Sequence, residues 1–209
     1  MDNRIKGLCD FLDAARSVYH AAAYIAETLA AAGYTRLFEQ NDWDLVPGGK
    51  YYVVRGDASV VAFRLPEGDP KGFLMSACHS DRPTFKVKEN LELPGAYTRV
   101  AVEPYGGILL APWTDRPLSI AGRLTVETEA GVETKLLDID RDLLLMPNVA
   151  IHMNRTVNDG HKWNPAVDTI PLAGSKSASG KLAKMLEEPQ GNSRAVSSLG
   201  TADGPWARG

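Results

Sequence analysis

His79 and Asp81 stand two residues apart in "CHSDRP", residues 78–83, directly after the apolar run "GFLMSA". A histidine at a strand end is a good ligand for a first-row metal, because neutral imidazole gives one nitrogen to the metal and its other N–H to an acceptor. In an extended chain the residue two positions on points to the same side, so Asp81 can orient a ligand or a base. H-x-D is also a short pattern, and the same residues describe a strand-terminal histidine whose aspartate starts the turn before Pro83. Spacing leaves both readings open.

Other candidates lie further on. Residues 103–123, "EPYGGILLAPWTDRPLSIAGR", combine a glycine pair, Trp113 and the Asp115-Arg116 pair ahead of a strand. Asp115 and Arg116 could bind a charged substrate end or clamp a partner subunit. The plainer reading is a turn whose tryptophan packs on the core and whose charges are solvated. "NVAIHMNRTVNDGHKWNP" holds His152, Arg155, His161 and Asn164. A lone histidine between Ile151 and Met153 is more often a satisfied core residue than a catalytic one. His161, in a polar Asn-Asp-Gly turn, reads as exposed, and His20, late in the first helix, takes no role from spacing. A serine hydrolase is excluded by the lack of a G-x-S-x-G elbow. The glycine pairs at 48–49 and 106–107 lack the strand-loop-helix context of a phosphate-binding loop.

The elements that must position these residues are legible as periodicities. Over residues 4–32, Ile5, Leu8, Phe11 and Leu12, then Val18, Ala22, Ile25 and Leu29, recur at helical spacing, with Gly33 as the stop, so one long amphipathic helix or two shorter ones are expected. "WDLVPGGKYYVVRGDASVVAFRL" reads as a hairpin with strands at 51–55 and 59–65 joined by a Gly-Asp turn. "KGFLMSACH" reads as a third strand, nearly continuous in apolar residues, as a strand buried on both faces would be. Helix first, then strands ending in a His-Asp pair, suggests an α/β sheet with functional residues at a strand's carboxyl end. From about Phe85 short alternating segments separated by Pro and Gly indicate a small β-rich domain. "LLLMPNVAIHMNR" is apolar without clean alternation and fits a strand or a helical turn. Beyond Leu172, "GKLAKMLEE" suits one short helix, and residues 189–209 have the composition of a disordered tail.

Bulk properties bound the function. The 209 residues are 44% hydrophobic and 23% charged, enough to bury a core as one large domain or two small ones. A net charge of -3 with dispersed Lys and Arg residues argues against nucleic acid. Cys9 and Cys78 have no C-x-x-C spacing, and the amino terminus "MDNRIKGLCDFLDAA" lacks the apolar core of a signal peptide, so a reducing, cytoplasmic compartment is expected. No apolar run approaches the roughly 20 residues needed to span a bilayer.

Taken in series, "WDLVPGGKYYVVR", "SACHSDRPTFKVK", "VEPYGGILLAPWTDRPLSIAGR", "DIDRDLLLMPNVAIHMNR" and "KWNPAVDTIPL" resemble the aspartyl aminopeptidases, cytosolic dinuclear zinc exopeptidases that remove acidic residues from peptide amino termini. The resemblance runs from roughly residue 10 to residue 188 in family order. It implies an α/β fold, with part of a zinc-exopeptidase-like catalytic domain (1–88) and a β-rich inserted dimerisation domain (89–175), while residues 176–209 read by composition as a short helix and a tail. It implies that His79 is a zinc ligand, that Asp81 orients the metal site, and that two zinc ions serve each complete site. The resemblance also implies a homo-oligomer formed through the inserted domain. There His152 would reach a neighbouring subunit's active site and donate a hydrogen bond to substrate or to a developing oxyanion. The chemistry implied is two-metal peptide hydrolysis, with a bridging water, a polarised carbonyl and a glutamate base. Arg116 and Arg155 are the candidates for reading an acidic substrate side chain.

The sequence also departs from that pattern. Family members are about twice as long, and their second half supplies the remaining ligands and the base. Here the pattern stops at Glu188, and "PQGNSRAVSSLGTADGPWARG" reads as an out-of-frame or degenerate ending. A catalytic zinc site takes about three protein ligands, so this chain alone is expected to be inactive and residues 1–88 to leave an apolar face uncovered. "ARSVYH" stands where the family has a Ser-Pro-rich stretch, which removes a substrate-side role from His20. A second function class fits the same residues: a non-catalytic interaction protein that keeps the dimerisation domain and pairs with a full-length paralogue.

Overall fold

A computed structural model describes residues 2–129, 131–187 and 195–203. The chain divides between Arg82 and Pro83 into two compact units. That division falls ahead of the expected 88/89 boundary because Phe85 and Val87 alternate inward on a strand of the second unit's core.

In the first unit the helical stretch is two shorter helices, α1 (Asn3–Ala14) and α2 (Val18–Ala31), the second of the two expected arrangements. The first helix ends where Ala15 turns out of helical geometry at ψ 55°, and Ser17, with an extended backbone, starts the second: its Oγ accepts the His20 N–H at 3.4 Å, capping α2. His20 therefore lies in the first turn of α2 and not late in the first helix. Gly33, at φ +79°, ends α2 as expected. Its N–H reaches Ala30 O, and that of Tyr34 reaches Leu29 O, both at 3.0 Å, the paired bonds of a Schellman motif. Phe11 and Tyr24 meet edge to face at 5.5 Å between ring centres and join the two helices. Ile5, Leu8 and Leu12 of α1 stay exposed, so no described residue of this unit covers the stripe that reads as core-facing.

The sheet of this unit has the order β1 (Thr35–Leu37), β2 (Lys50–Arg55), β3 (Ser59–Arg64). β1 runs parallel to β2, and β2 pairs antiparallel with β3 from Lys50↔Arg64 to Arg55↔Ser59. The hairpin turn holds Gly56 and Asp57 at φ +58° and +57°, the double left-handed geometry that matches strand twist and that Gly and Asp tolerate. The expected third strand over 71–79 does not form. Phe73 and Met75 are 90% and 86% exposed, and none of the three strands pairs with this run. A strand that is apolar on both faces needs hydrogen-bonding neighbours and two covers, and the described residues of this unit supply neither.

The second unit is β-rich, as its alternating pattern suggests. It contains β4 (Thr84–Leu93), β5 (Tyr97–Tyr105), β6 (Pro117–Thr128), β7 (Gly131–Asp138), β8 (Leu144–Leu145), β9 (Leu172–Ser175) and β10 (Ala195–Asp203), with the short helices α3 (Pro165–Asp168) and α4 (Lys181–Glu187). The strand order is β10-β4-β5-β9-β8-β6-β7, and β10 also pairs with β6, so the sheet closes on itself. Inward residues of β4 to β8 form the core: Phe85, Val100, Leu118, Ile120, Leu124 and Val126, with Leu182 and Leu186 of α4 added. Trp113 is buried there, 5.0 Å from Phe85 in edge-to-face contact, which agrees with the plainer reading of its turn. "LLLMPNVAIHMNR" resolves into β8, a buried Met146 and turns.

Part of the expected tail is a strand. β10 pairs antiparallel with β6 from Ala195↔Val126 to Asp203↔Leu118 and with β4 at Leu199↔Val87. A composition poor in apolar anchors does not prevent this, because the partner strands supply hydrogen bonds to its backbone. Residues 189–194 and 204–209, the rest of that tail, and residue 188, the end of the expected helix, lie outside the described residues. Among the described residues no helix is long and apolar enough to cross a membrane.

Candidate metal centre

The His-Asp pair follows the unpaired run 71–78. Nδ1 of His79 and Oδ1 of Asp81 lie 2.8 Å apart, so the two side chains do converge as their spacing suggests. An ionised carboxylate only accepts, so in this contact a neutral imidazole would donate from Nδ1 and keep its Nε2 lone pair for a ligand. His79 is 91% exposed and Asp81 34%. Ser80 and Arg82, which interleave with them, turn back into the first unit: Ser80 Oγ donates to Ala58 O at 2.9 Å, and the Arg82 guanidinium donates to Ala15 O at 2.6 Å and Arg16 O at 2.8 Å.

This is the donor chemistry of one metal ligand with its outer acceptor. It is not a whole centre. Among the described residues no group of three or more His, Cys, Asp and Glu side chains could hold a metal ion, and a zinc site takes about three protein ligands. Cys78, beside His79, is an exposed free thiol, as is Cys9.

The other candidates belong to the second unit. His152 is exposed in a turn between Ile151 and Met153, themselves exposed, so the core-histidine reading is wrong for it. Among the described residues no strand pairs with that segment, and the imidazole stands exposed. Asp115, at φ +56°, spends its Oδ1 on the Asn148 N–H at 2.8 Å, while its own N–H reaches Met146 O at 2.9 Å. The Asp115 carboxylate thus ties two loops together. Arg116 is half-buried just ahead of β6, and Arg155 is exposed.

His161 corrects the exposed-turn reading. It is half-buried, packs edge to face on Trp163 at 4.6 Å, and sets Nδ1 3.1 Å from Asn154 Nδ2 and Nε2 3.5 Å from Asp168 Oδ2. No short motif announces this cluster. Asn164, singled out beside it, caps α3 through its Oδ1 on the Ala166 N–H at 3.2 Å.

Residues 11–200 match the family model described as Aminopeptidase I zinc metalloprotease (M18). The chain belongs to the M18 peptidase family. A probable M18 family aminopeptidase 2 of Clostridium acetobutylicum is 45% identical over 175 residues, which are 81% of this chain and 40% of the relative. One of Pseudomonas putida (strain GB-1) is 45% identical over 169 residues, 79% of this chain and 39% of the relative. The chain thus spans about two-fifths of the length of these M18 relatives. Among solved structures, Chaetomium thermophilum mApe1 matches with a TM-score of 0.85 at 29% identity, over 95% of this chain and 50% of that one. An S. cerevisiae mApe1 dodecamer matches with a TM-score of 0.74 at 22% identity, over 96% of this chain and 48% of that one, and shares the fold.

Proposed function

We propose that this chain carries the His79–Asp81 part of an M18 metalloaminopeptidase of the aspartyl type, which releases amino-terminal acidic residues from peptides. The observation that carries the reading is the 2.8 Å pair itself, inside a family described as zinc metalloproteases. Zinc, two ions per complete site, supplies a low-pKa water and polarises the scissile carbonyl. In this reading His79 offers Nε2 as one ligand, and Asp81 holds the proton on Nδ1 and fixes the ring. His152, on its exposed turn, donates a hydrogen bond to charge developing in a neighbouring subunit's site. Arg116 and Arg155 are the cations that pair with an acidic side chain, and the oligomer forms through the β-rich unit. The protein works in the cytoplasm, with peptides as its partners and neither nucleic acid nor membrane.

The isolated chain is inactive in this reading, because one imidazole binds metal weakly and without selectivity. The purified chain with zinc is expected to leave aspartyl- and glutamyl-p-nitroanilide intact; release of nitroaniline would overturn the inactivity. Mixing it with the separately produced carboxyl-terminal part of the C. acetobutylicum relative is expected to give zinc-dependent release that His79→Ala abolishes. Release that survives His79→Ala would sink the ligand role.

A second reading is favoured by the second unit, whose sheet closes and which holds its own core. There the chain is a non-catalytic partner that pairs with a full-length paralogue through that unit. Light scattering of the chain with such a relative decides it, since the absence of a mixed oligomer removes this reading.

A further inference from the structure

Resting on the reading of His79 as a metal ligand, we infer that Ser80 and Arg82 are positioning residues that aim the His79–Asp81 pair. Among the described residues no strand pairs with the run before the pair, and Phe73 and Met75 stand in solvent. The turn itself is nevertheless tied at two points. Ser80 Oγ–H binds Ala58 O, in the turn between β2 and β3, at 2.9 Å. Arg82 binds Ala15 O and Arg16 O, just past the carboxyl end of α1, at 2.6 and 2.8 Å.

Carbonyls at a helix's carboxyl end lack intrahelical partners and carry its negative dipole end, so a cation with several donors suits them. The planar guanidinium fork reaches two carbonyls at once, whereas an ammonium offers a compact point of charge. Asp81 lies between the two anchored residues. Holding Ser80 and Arg82 therefore fixes the backbone from which the carboxylate meets Nδ1, and with it the tautomer that leaves Nε2 free. Without these ties the histidine is an exposed side chain free to place its proton on either nitrogen.

Imidazole 15N spectra of the full chain, at a pH where the ring is neutral, read this directly. The wild type is expected to show the proton of His79 on Nδ1. Arg82→Ala and Ser80→Ala are expected to shift the population towards the Nε2–H form, and Arg82→Lys to recover part of it. Far-UV circular dichroism checks that each variant folds; if Arg82→Ala does not, Ser80→Ala, which leaves the helix contacts in place, carries the test. Folded variants whose His79 tautomer is unchanged would overturn the positioning role. Millimolar Co2+ alone, added to the wild type, tests the ligand reading separately. Paramagnetic broadening at the Nε2 side of His79 supports it, and its absence sinks that reading while the tautomer result still decides the roles of Ser80 and Arg82.

Discussion

Oδ1 of Asp81 lies 2.8 Å from Nδ1 of His79, with a single residue between them. An acceptor on one imidazole nitrogen makes the other a better ligand and fixes the ring's direction, and losing such an acceptor typically costs 10–100-fold in metal affinity. Asp81→Asn preserves the shape and removes the charge. In the mixture with the complementary part of the C. acetobutylicum relative, it is expected to weaken zinc binding by about 10–100-fold, measured against a chromogenic chelator. Unchanged affinity would mean that Asp81 does not support the ligand.

Phe73 and Met75 stand 90% and 86% exposed within an unbroken apolar run. Contiguous apolar surface with unpaired backbone beside it drives association. Replacing Phe73, Leu74 and Met75 together by serine is expected to reduce concentration-dependent self-association of the chain in light scattering. Stability in urea should stay within about 0.5 kcal/mol, as for surface changes away from the core. A large loss of stability would show instead that the run is buried.

Glu92 of β4 receives the Gly180 N–H at 2.9 Å and the Ser179 hydroxyl at 2.8 Å, at the start of α4. A carboxylate there satisfies donors that the helix leaves open and meets the positive end of its dipole. Glu92→Ala is expected to cost about 1 kcal/mol in urea unfolding, and Glu92→Gln, which keeps an acceptor, less. Equal losses from the two variants would argue that charge, not the hydrogen bond, is what α4 uses.

The elements that read correctly from sequence are those whose determinants are local. The β2–β3 hairpin follows from Gly56-Asp57 between β-rich runs, and the inward Phe85 and Val87 of β4 follow from its alternation. The failures have non-local causes. Residues 71–79 carry a strand's composition without neighbours to pair with, and β10 lacks a strand's composition but has two edges to pair with. At the candidate centre His79 and Asp81 were visible as a pair of types at a useful spacing. Arg82 was not, because its partners are backbone carbonyls 66 and 67 residues away, which leave no mark on side-chain pattern. His161 reads as exposed for a different reason: its partners Trp163, Asp168 and Asn154 lie within seven residues, but they meet the ring through the local turn and α3 and not at a regular spacing.

Asp168 Oδ2 accepts the Asn164 N–H at 2.6 Å and faces His161 Nε2 at 3.5 Å, with both side chains about two-thirds or more buried. Two effects are therefore combined in one carboxylate, and a double-mutant cycle separates them. Asp168→Ala removes an exposed hydrogen bond and is expected to cost about 0.5–1.5 kcal/mol. His161→Ala removes the ring contact with Trp163 and the approach to Asn154 and is expected to cost a similar amount. If the imidazole and the carboxylate act together, the double variant loses less than the sum of the two, with a coupling of about 0.5 kcal/mol or more in urea titrations. Strict additivity would place the whole of Asp168's effect in its bond to Asn164 and leave His161 held by Trp163 and Asn154 alone.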